Sequence, residues 1–237
     1  VSLTLFFLVP LSIYAQIAPP TYISSDTTWS PAGGVYYIDS GFTVPAGVTL
    51  TIEPGTIIKS RATNLGGPTI YGNLIAHGTA GSPIYFTSLF DDSVGGDTDG
   101  FGPTPGSPGD WQGLYFKPGS TGIFDHVDLR YSGYGGFGYG NFVGIENDGG
   151  NLLIQHSNIH DNYKITSNGA GGAMSSGSGI YNKNGVLTVN NSVIDNNVFG
   201  IRVESGTTTI SDNILKNNTD STGYNVGYGI HAAGHQP

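Results

Sequence analysis

The 237-residue chain contains no cysteine. For an exported chain this excludes a disulfide framework, so hydrogen bonds and an apolar core must carry stability alone. Basic residues are scarce: 8 Lys and Arg stand against 17 Asp and Glu, a formal charge of −9. That balance argues against nucleic acid and against anionic membrane surfaces as partners. Charged residues make up only 11% of the chain while glycine contributes 39 positions, which suits a turn-rich extracellular scaffold and not a disordered tail. The apolar run VSLTLFFLVPLSIYAQ is too short to be a good membrane span and is broken by Pro10. It reads as the core and cleavage region of a secretory signal lacking its initiator Met and basic leader, with cutting expected after Ala15. Residues 1–15 are therefore set apart from the fold and 16–34 are read as a linker or entry segment. The expected location is secreted or cell-surface, with no membrane insertion once the signal is removed.

What the chain has is a repeat. Gly144 to Asn162, Gly179 to Asn197 and Gly200 to Asn218 superimpose without a gap. Each opens Gly-Ile, places an apolar residue ten positions on (Ile154, Val189, Ile210) and another five later (Ile159, Ile194, Leu215), and reaches Asn at the eighteenth step. A further copy opens at Gly229-Ile230, and the absence of a polar cap after it leads to the expectation that the sequence is a piece of a longer protein. Self-similarity at about 20 residues marks a solenoid, because one copy cannot bury its own apolar face. Within a copy the apolar residues alternate, as in Leu187-Thr188-Val189, which is the period of a strand and not of a helix.

Three short strands per copy predict an all-β, right-handed parallel β-helix over 35–237, with like residues stacked rung on rung. Ile145, Ile180, Ile201 and Ile230 are expected to form an interior aliphatic column, and Asn162, Asn197 and Asn218 a structural amide ladder at a turn. The glycine column is expected to mark a bend with unusual backbone angles. Looser copies precede these: Phe124, Val127, Leu129 and Ser132 match Ile154, Ser157, Ile159 and Asn162, with Gly113-Leu114 as their opening. Val44, Val48, Leu50, Ile52, Ile57 and Ile58, then Leu74, Ile75, Ile84 and Phe86, continue the pattern backwards.

The phrases VPAGVTLTIEPGTIIK, GTAGSPIYFTS and GDWQGLYF make the chain similar to the right-handed parallel β-helix repeat proteins of the pectate-lyase-like superfamily, and closest to bacterial secreted members. Gln112 stands where such proteins more often have Gly. The resemblance implies the fold and its entry. It says little about activity, since the superfamily includes lyases, hydrolases, adhesins and proteins without an assigned role.

Length variation is confined to the interval from Asn to the next Gly, so the insertions 89–110, 133–143, 163–178 and 219–228 are expected to leave the coil at one corner. Insertions gathered on one side of a repeat protein usually build its working face. These loops carry Tyr134, Phe137, Tyr139, Tyr163, Tyr224 and Tyr228 among small polar residues, with Tyr131 and Phe142 beside them. Such a surface suits the apolar face and hydroxyl rim of a sugar, and an extracellular polysaccharide is the expected partner. The alternative is that the aromatics fold back to cover the corner. The loop LFDDSVGGDTDGFGPTPGSPGD holds Asp91, Asp92, Asp97, Asp99 and Asp110; its Asp97-Thr98-Asp99-Gly100 has the alternate carboxylates and following Gly of many calcium loops, without the distal Glu of an EF-hand. Asp91, Asp92, Asp97 and Asp99 are the candidate Ca2+ ligands, with a solvated acidic loop as the alternative.

Catalysis has less support. A calcium-dependent lyase needs carboxylates beside a base able to take a proton from carbon, and the only arginines are Arg61, Arg130 and Arg202. Arg130, His160, Asp195 and Lys216 align as one outward column, and His126 and His156 as another; both are expected to be solvated faces. Asn218-Thr219-Asp220 looks like the first motif of polygalacturonase-type hydrolases, but its Asn is already explained by the ladder and the partner motifs do not follow in order. The sequence is thus read as a structural or binding module with no assigned catalytic residue. A polysaccharide lyase or glycoside hydrolase is the first alternative, and an adhesin stalk or spacer the second.

Overall fold

The computed structural model describes residues 15–61, 66–134, 142–163, 177–219 and 227–232. Every named strand lies in one of three parallel sheets that form the faces of a prism. Face 1 stacks Gln16–Ile17, Val35–Ile38, Ile57–Ser60, Ile84–Ser88, Val127–Arg130, Asn158–His160, Val193–Asp195 and Ile214–Lys216. Face 2 stacks Thr43–Val44, Thr69–Ile70, Leu114–Phe116, Val143–Asn147, Ser178–Asn182, Phe199–Val203 and Tyr228–Ala232. Face 3 stacks Thr27–Trp29, Thr49–Ile52, Asn73–His77, Thr121–Asp125, Asn151–Gln155, Val186–Asn190 and Thr207–Ser211. The chain visits face 3, face 1 and face 2 in turn, then begins the next rung.

Register follows the repeat. Leu114, Ile145, Ile180, Ile201 and Ile230 pair in succession on face 2. Phe124, Ile154, Val189 and Ile210 do so on face 3, and Leu129, Ile159, Ile194 and Leu215 on face 1. All of these but Ile230, which is 48% exposed, meet in one continuous apolar interior that also takes in Leu50, Ile52, Leu74, Ile84 and Phe86. Strict alternation sends Ile57 and Ile75 to the outer side, where they are only half-buried.

The segment 16–34, read from the sequence as a linker or entry, is part of the coil. Gln16–Ile17 pairs with Val35–Ile38, Thr27–Trp29 pairs with Thr49–Ile52, and Tyr22 bridges to Thr43. Trp29 stacks on the Tyr36 ring at 4.7 Å and meets Phe42 edge-on at 5.1 Å. The stretch lacks the alternating aliphatics of later rungs because these three aromatic rings fill the interior instead. Of the expected signal segment, 1–14 lie outside the described residues, and the Ala15 carbonyl accepts the amide of Val35.

The Asn ladder forms as the repeat implies. Asn218 Oδ1 accepts the backbone and side-chain N–H of Asn197 at 3.1 and 3.2 Å; Asn197 Oδ1 accepts those of Asn162 at 3.2 and 3.1 Å; Asn162 Oδ1 accepts the Ser132 amide and hydroxyl. The glycine column beside it has a different cause from the one expected. Gly144, Gly179 and Gly200 do not have positive φ; a Cβ on Gly179 would lie 2.8 Å from Asn197 Nδ2, and one on Gly144 only 2.5 Å from the Gly179 carbonyl. Space for the ladder, not backbone angle, demands glycine there. The expected angle does hold at Gly113, which opens the earlier rung with φ of 89°; the other left-handed columns are His126, His156, Asn191 and Asp212 at one corner and Tyr131, Asp161, Asn196 and Asn217 at another, with φ between 47° and 63°.

Candidate functional site

Every long excursion leaves between a face 1 strand and the next face 2 strand, after Ser60, Ser88, Arg130, His160 and Lys216. At the two other corners the links among the described residues are short. The corner from face 1 to face 2 is therefore the edge on which loop length accumulates.

The 89–110 loop is tied down over that corner by polar side chains. Asp91 is buried and accepts the Thr87 and Ser93 hydroxyls at 2.6 Å each and the Arg130 guanidinium at 2.7 and 2.9 Å. Burial works against the charged carboxyl, but the bonds from Ser93, Thr87 and Arg130 outweigh it and hold the group below the usual carboxylate range. Arg130 also reaches Asp128 at 3.3 Å and lies over the rings of Tyr85 and Tyr131. The column of Arg130, His160, Asp195 and Lys216 is in register as expected, yet its first three members are not solvated: their side chains are only 12%, 14% and 16% exposed. The loop covers Arg130, while Asp128 and Asp161 clasp His160 at 3.2 and 2.6 Å. The other two arginines are paired as well, Arg61 with Asp39 and Arg202 over the Tyr181 ring.

Of the four candidate calcium ligands, Asp92, Asp97 and Asp99 come together and Asp91 does not, being claimed by Arg130. The Asp97 carboxylate accepts the amides of Gly100 and Gly102, Asp99 Oδ1 accepts that of Phe101, and Asp92 Oδ2 accepts that of Thr104. Two oxygens of the group, Asp92 Oδ1 and Asp99 Oδ2, are shielded from solvent without a hydrogen-bond partner. A fully buried lysine sits next to them: Lys59 donates to the Gly96 carbonyl at 2.6 Å and lies 3.9 Å from Asp92 Oδ1. Burial pulls its pKa down, and the surrounding aspartates oppose that. Lys59 escaped notice in the sequence because it belongs to the rung below, more than thirty positions earlier. The signal that could have found it is a lysine on the alternating run Ile57–Ser60, which pairs rung to rung with Ile84–Ser88 at the root of the acidic loop.

The aromatic candidates divide. Phe137, Tyr139 and Tyr224 lie outside the described residues. Tyr134 is anchored at the root of its loop, its amide on the Trp111 carbonyl at 2.8 Å. Tyr163 packs against Phe142 with ring centroids 4.4 Å apart; its ring leaves no room for a Cβ at Gly177, and its Cβ and backbone leave none at Gly133. Tyr228 is a strand residue, not a loop residue: it opens Tyr228–Ala232, pairs with Phe199 and stacks on that ring at 6.0 Å.

Beside Tyr163 a cleft of about 280 Å3 runs along the corner, lined by Pro108, Asp161, Asn196, Asn197, Asn217 and Thr219. Its polar side comes from the left-handed corner column, Asp161, Asn196 and Asn217, repeated rung after rung. Pro108 brings the returning end of the 89–110 loop to the same cleft. The lining Asn residues other than Asn197 were not singled out from the sequence; their signal is the residue just before each ladder Asn.

Fold and corner together define a parallel β-helix that carries its variable loops along one edge. A family model described as a right handed beta helix region matches residues 107–236, more than half of the chain, and the chain belongs to that family. Comparison with curated proteins and with solved structures gave no match.

Proposed function

We propose that this is a secreted or cell-surface β-helix module that binds an extracellular polysaccharide along the corner between faces 1 and 2. The observation that carries this reading is the cleft beside Tyr163, where an aromatic ring flanks a repeating row of carboxylate and amide groups. A sugar chain presents apolar ring faces and hydroxyls at regular intervals, which is the complement of a ring beside stacked hydrogen-bonding groups. The apolar run at 1–15 supports export, and the charge of −9 supports a glycan over nucleic acid.

Binding is favoured over glycoside hydrolysis because hydrolysis uses two carboxyls flanking the bond. Among the described residues lining the cleft, Asp161 is the one carboxylate, and His160 already holds it. Glycan-array screening of the chain should find polysaccharide ligands whose binding falls about fivefold in Tyr163→Ala and in Asn196→Ala, since one lost aromatic or hydrogen-bonding contact of this kind is worth on the order of 1 kcal/mol. Release of reducing or unsaturated sugars would favour the enzyme reading instead. A flat array with no product leaves the stalk or spacer.

A further inference from the structure

The corner from face 3 to face 1 lies on a different edge from the loops, and it is built tightly. Each rung turns there through a single left-handed residue: His126, His156, Asn191 and Asp212, with φ of 52°, 49°, 47° and 56°. This geometry throws the side chains of successive rungs outward in parallel. The imidazoles of His126 and His156 consequently stack, centroids 5.0 Å apart and planes 24° from parallel.

Asp125, the last residue of its face 3 strand, faces both rings. Its Oδ1 lies 2.8 Å from His126 Nδ1 and 3.0 Å from His156 Nδ1. The three ligand atoms lie within 4.8 Å of one another. His126 Nδ1 is shielded from solvent and faces that carboxylate oxygen. The other carboxylate oxygen is occupied, accepting Gln155 Nε2 at 3.0 Å, which fixes the plane of the carboxyl. His77, in register with Asp125 one rung below, places its Nδ1 4.0 Å from that second oxygen.

We propose that His126, His156 and Asp125 form a binding site for a divalent first-row transition-metal ion such as Zn2+, with His77 at its margin. Two neutral imidazoles and one carboxylate are a donor set suited to zinc and its neighbours and unsuited to calcium or magnesium, which prefer oxygen. Around a tetrahedral zinc the ligand atoms stand about 3.3 Å apart. The two carboxylate-to-imidazole distances therefore need to open by only a few tenths of an ångström. Gln155 supplies the outer hydrogen bond that orients a metal-binding carboxylate. The ion would bridge adjacent rungs, one His from each, and clamp that edge of the coil.

The test is isothermal titration of Zn2+ into the untagged full chain, wild type beside His126→Asn, His156→Asn and the double variant. Asn already occupies the same left-handed corner position at Asn191, so these substitutions leave the backbone intact, and far-UV circular dichroism checks that they do. The expected result is one zinc per chain in the wild type, affinity reduced at least about tenfold by either single change and binding abolished in the double variant. Gln155→Leu, which leaves all three ligands in place, should weaken zinc about tenfold. Zinc binding retained in a folded double variant, or no binding by the wild type, overturns the proposal. Calcium and magnesium titrations that mimic the zinc isotherm and are lost with the same histidines would overturn it too.

Discussion

At the scale of single residues, the charged groups with most consequence are those the coil and its loop bury. His160 is the clearest. Burial alone would lower its pKa, but hydrogen bonds to Asp128 and Asp161 outweigh that and raise it to about 9, from an ordinary value of 6.5. A folded-state pKa above the unfolded one means that the imidazolium stabilises the fold fully below pH 6.5, and that this contribution disappears as pH rises through about 9. A rise of this size corresponds to roughly 3 kcal/mol. The melting temperature should therefore fall between these two pH values, and His160→Gln should show a shallower fall. Parallel slopes in the two proteins would mean that His160 contributes nothing to the pH dependence.

Lys59 makes a second case. Calcium needs six to eight oxygen ligands. Asp97 spends its carboxylate on two loop amides, Asp91 is held by Arg130, and an ammonium already stands beside Asp92. The expectation is that millimolar calcium leaves the melting temperature of the whole chain unchanged, whereas Lys59→Met lowers stability by about 3 kcal/mol by leaving buried carboxylates without their cation. A clear rise in melting temperature with calcium would instead show that Asp92 Oδ1 and Asp99 Oδ2 take an ion alongside the lysine.

At the scale of elements, each corner carries its own polar ladder. Besides the Asn162, Asn197 and Asn218 stack, Ser157 and Ser192 accept the amides of Val127 and Ser157 through their hydroxyls, and Asn213 Oδ1 accepts that of Ser192. At the third corner Asn147 and Asn182 close their turns by accepting the amides of Gly150 and Gly185. These ladders supply acceptors for buried backbone N–H groups that the sheets do not pair, and a buried donor left bare costs about 1–3 kcal/mol. Asn197→Ala strips the acceptor from the Asn162 amide and removes donors to the Ile159 and Asp195 carbonyls. It should cost about 3 kcal/mol in urea unfolding. Gly179→Ala should damage the same ladder from the other side, since the added methyl collides with Asn197 Nδ2. A near-neutral result for both would show that the ladder is not what supports the turn.

At the scale of the whole molecule, the fold was legible because the same residue types recur at the same step and only stacking can bury them all. The aliphatic columns at Ile145 and Ile154 and the Asn ladder were readable for that reason, as was the edge where the insertions gather. The corner ladder through Ser157, Ser192 and Asn213 was readable in principle, thirteen positions after each opening Gly, but serine and asparagine have many roles and the column is mixed. Other features depend on contacts between distant stretches. Nothing local to Lys59 announces a lysine with no solvent exposure, and nothing local to Asp91 announces Arg130 as its partner across 39 positions. The first rung was missed because aromatic packing by Trp29, Tyr36 and Phe42 replaces the aliphatic pattern on which the repeat is recognised.

The confinement of every excursion to one edge has an engineering meaning. A segment grafted between Tyr163 and Gly177, beyond the ladder residue Asn162, lies between strands whose pairing is set by neighbours above and below, so foreign sequence there leaves the scaffold's register untouched. Diversity can be added along that edge at almost no structural expense, rung by rung, and a panel of loop libraries displayed in parallel on one rigid column is the design this architecture already embodies.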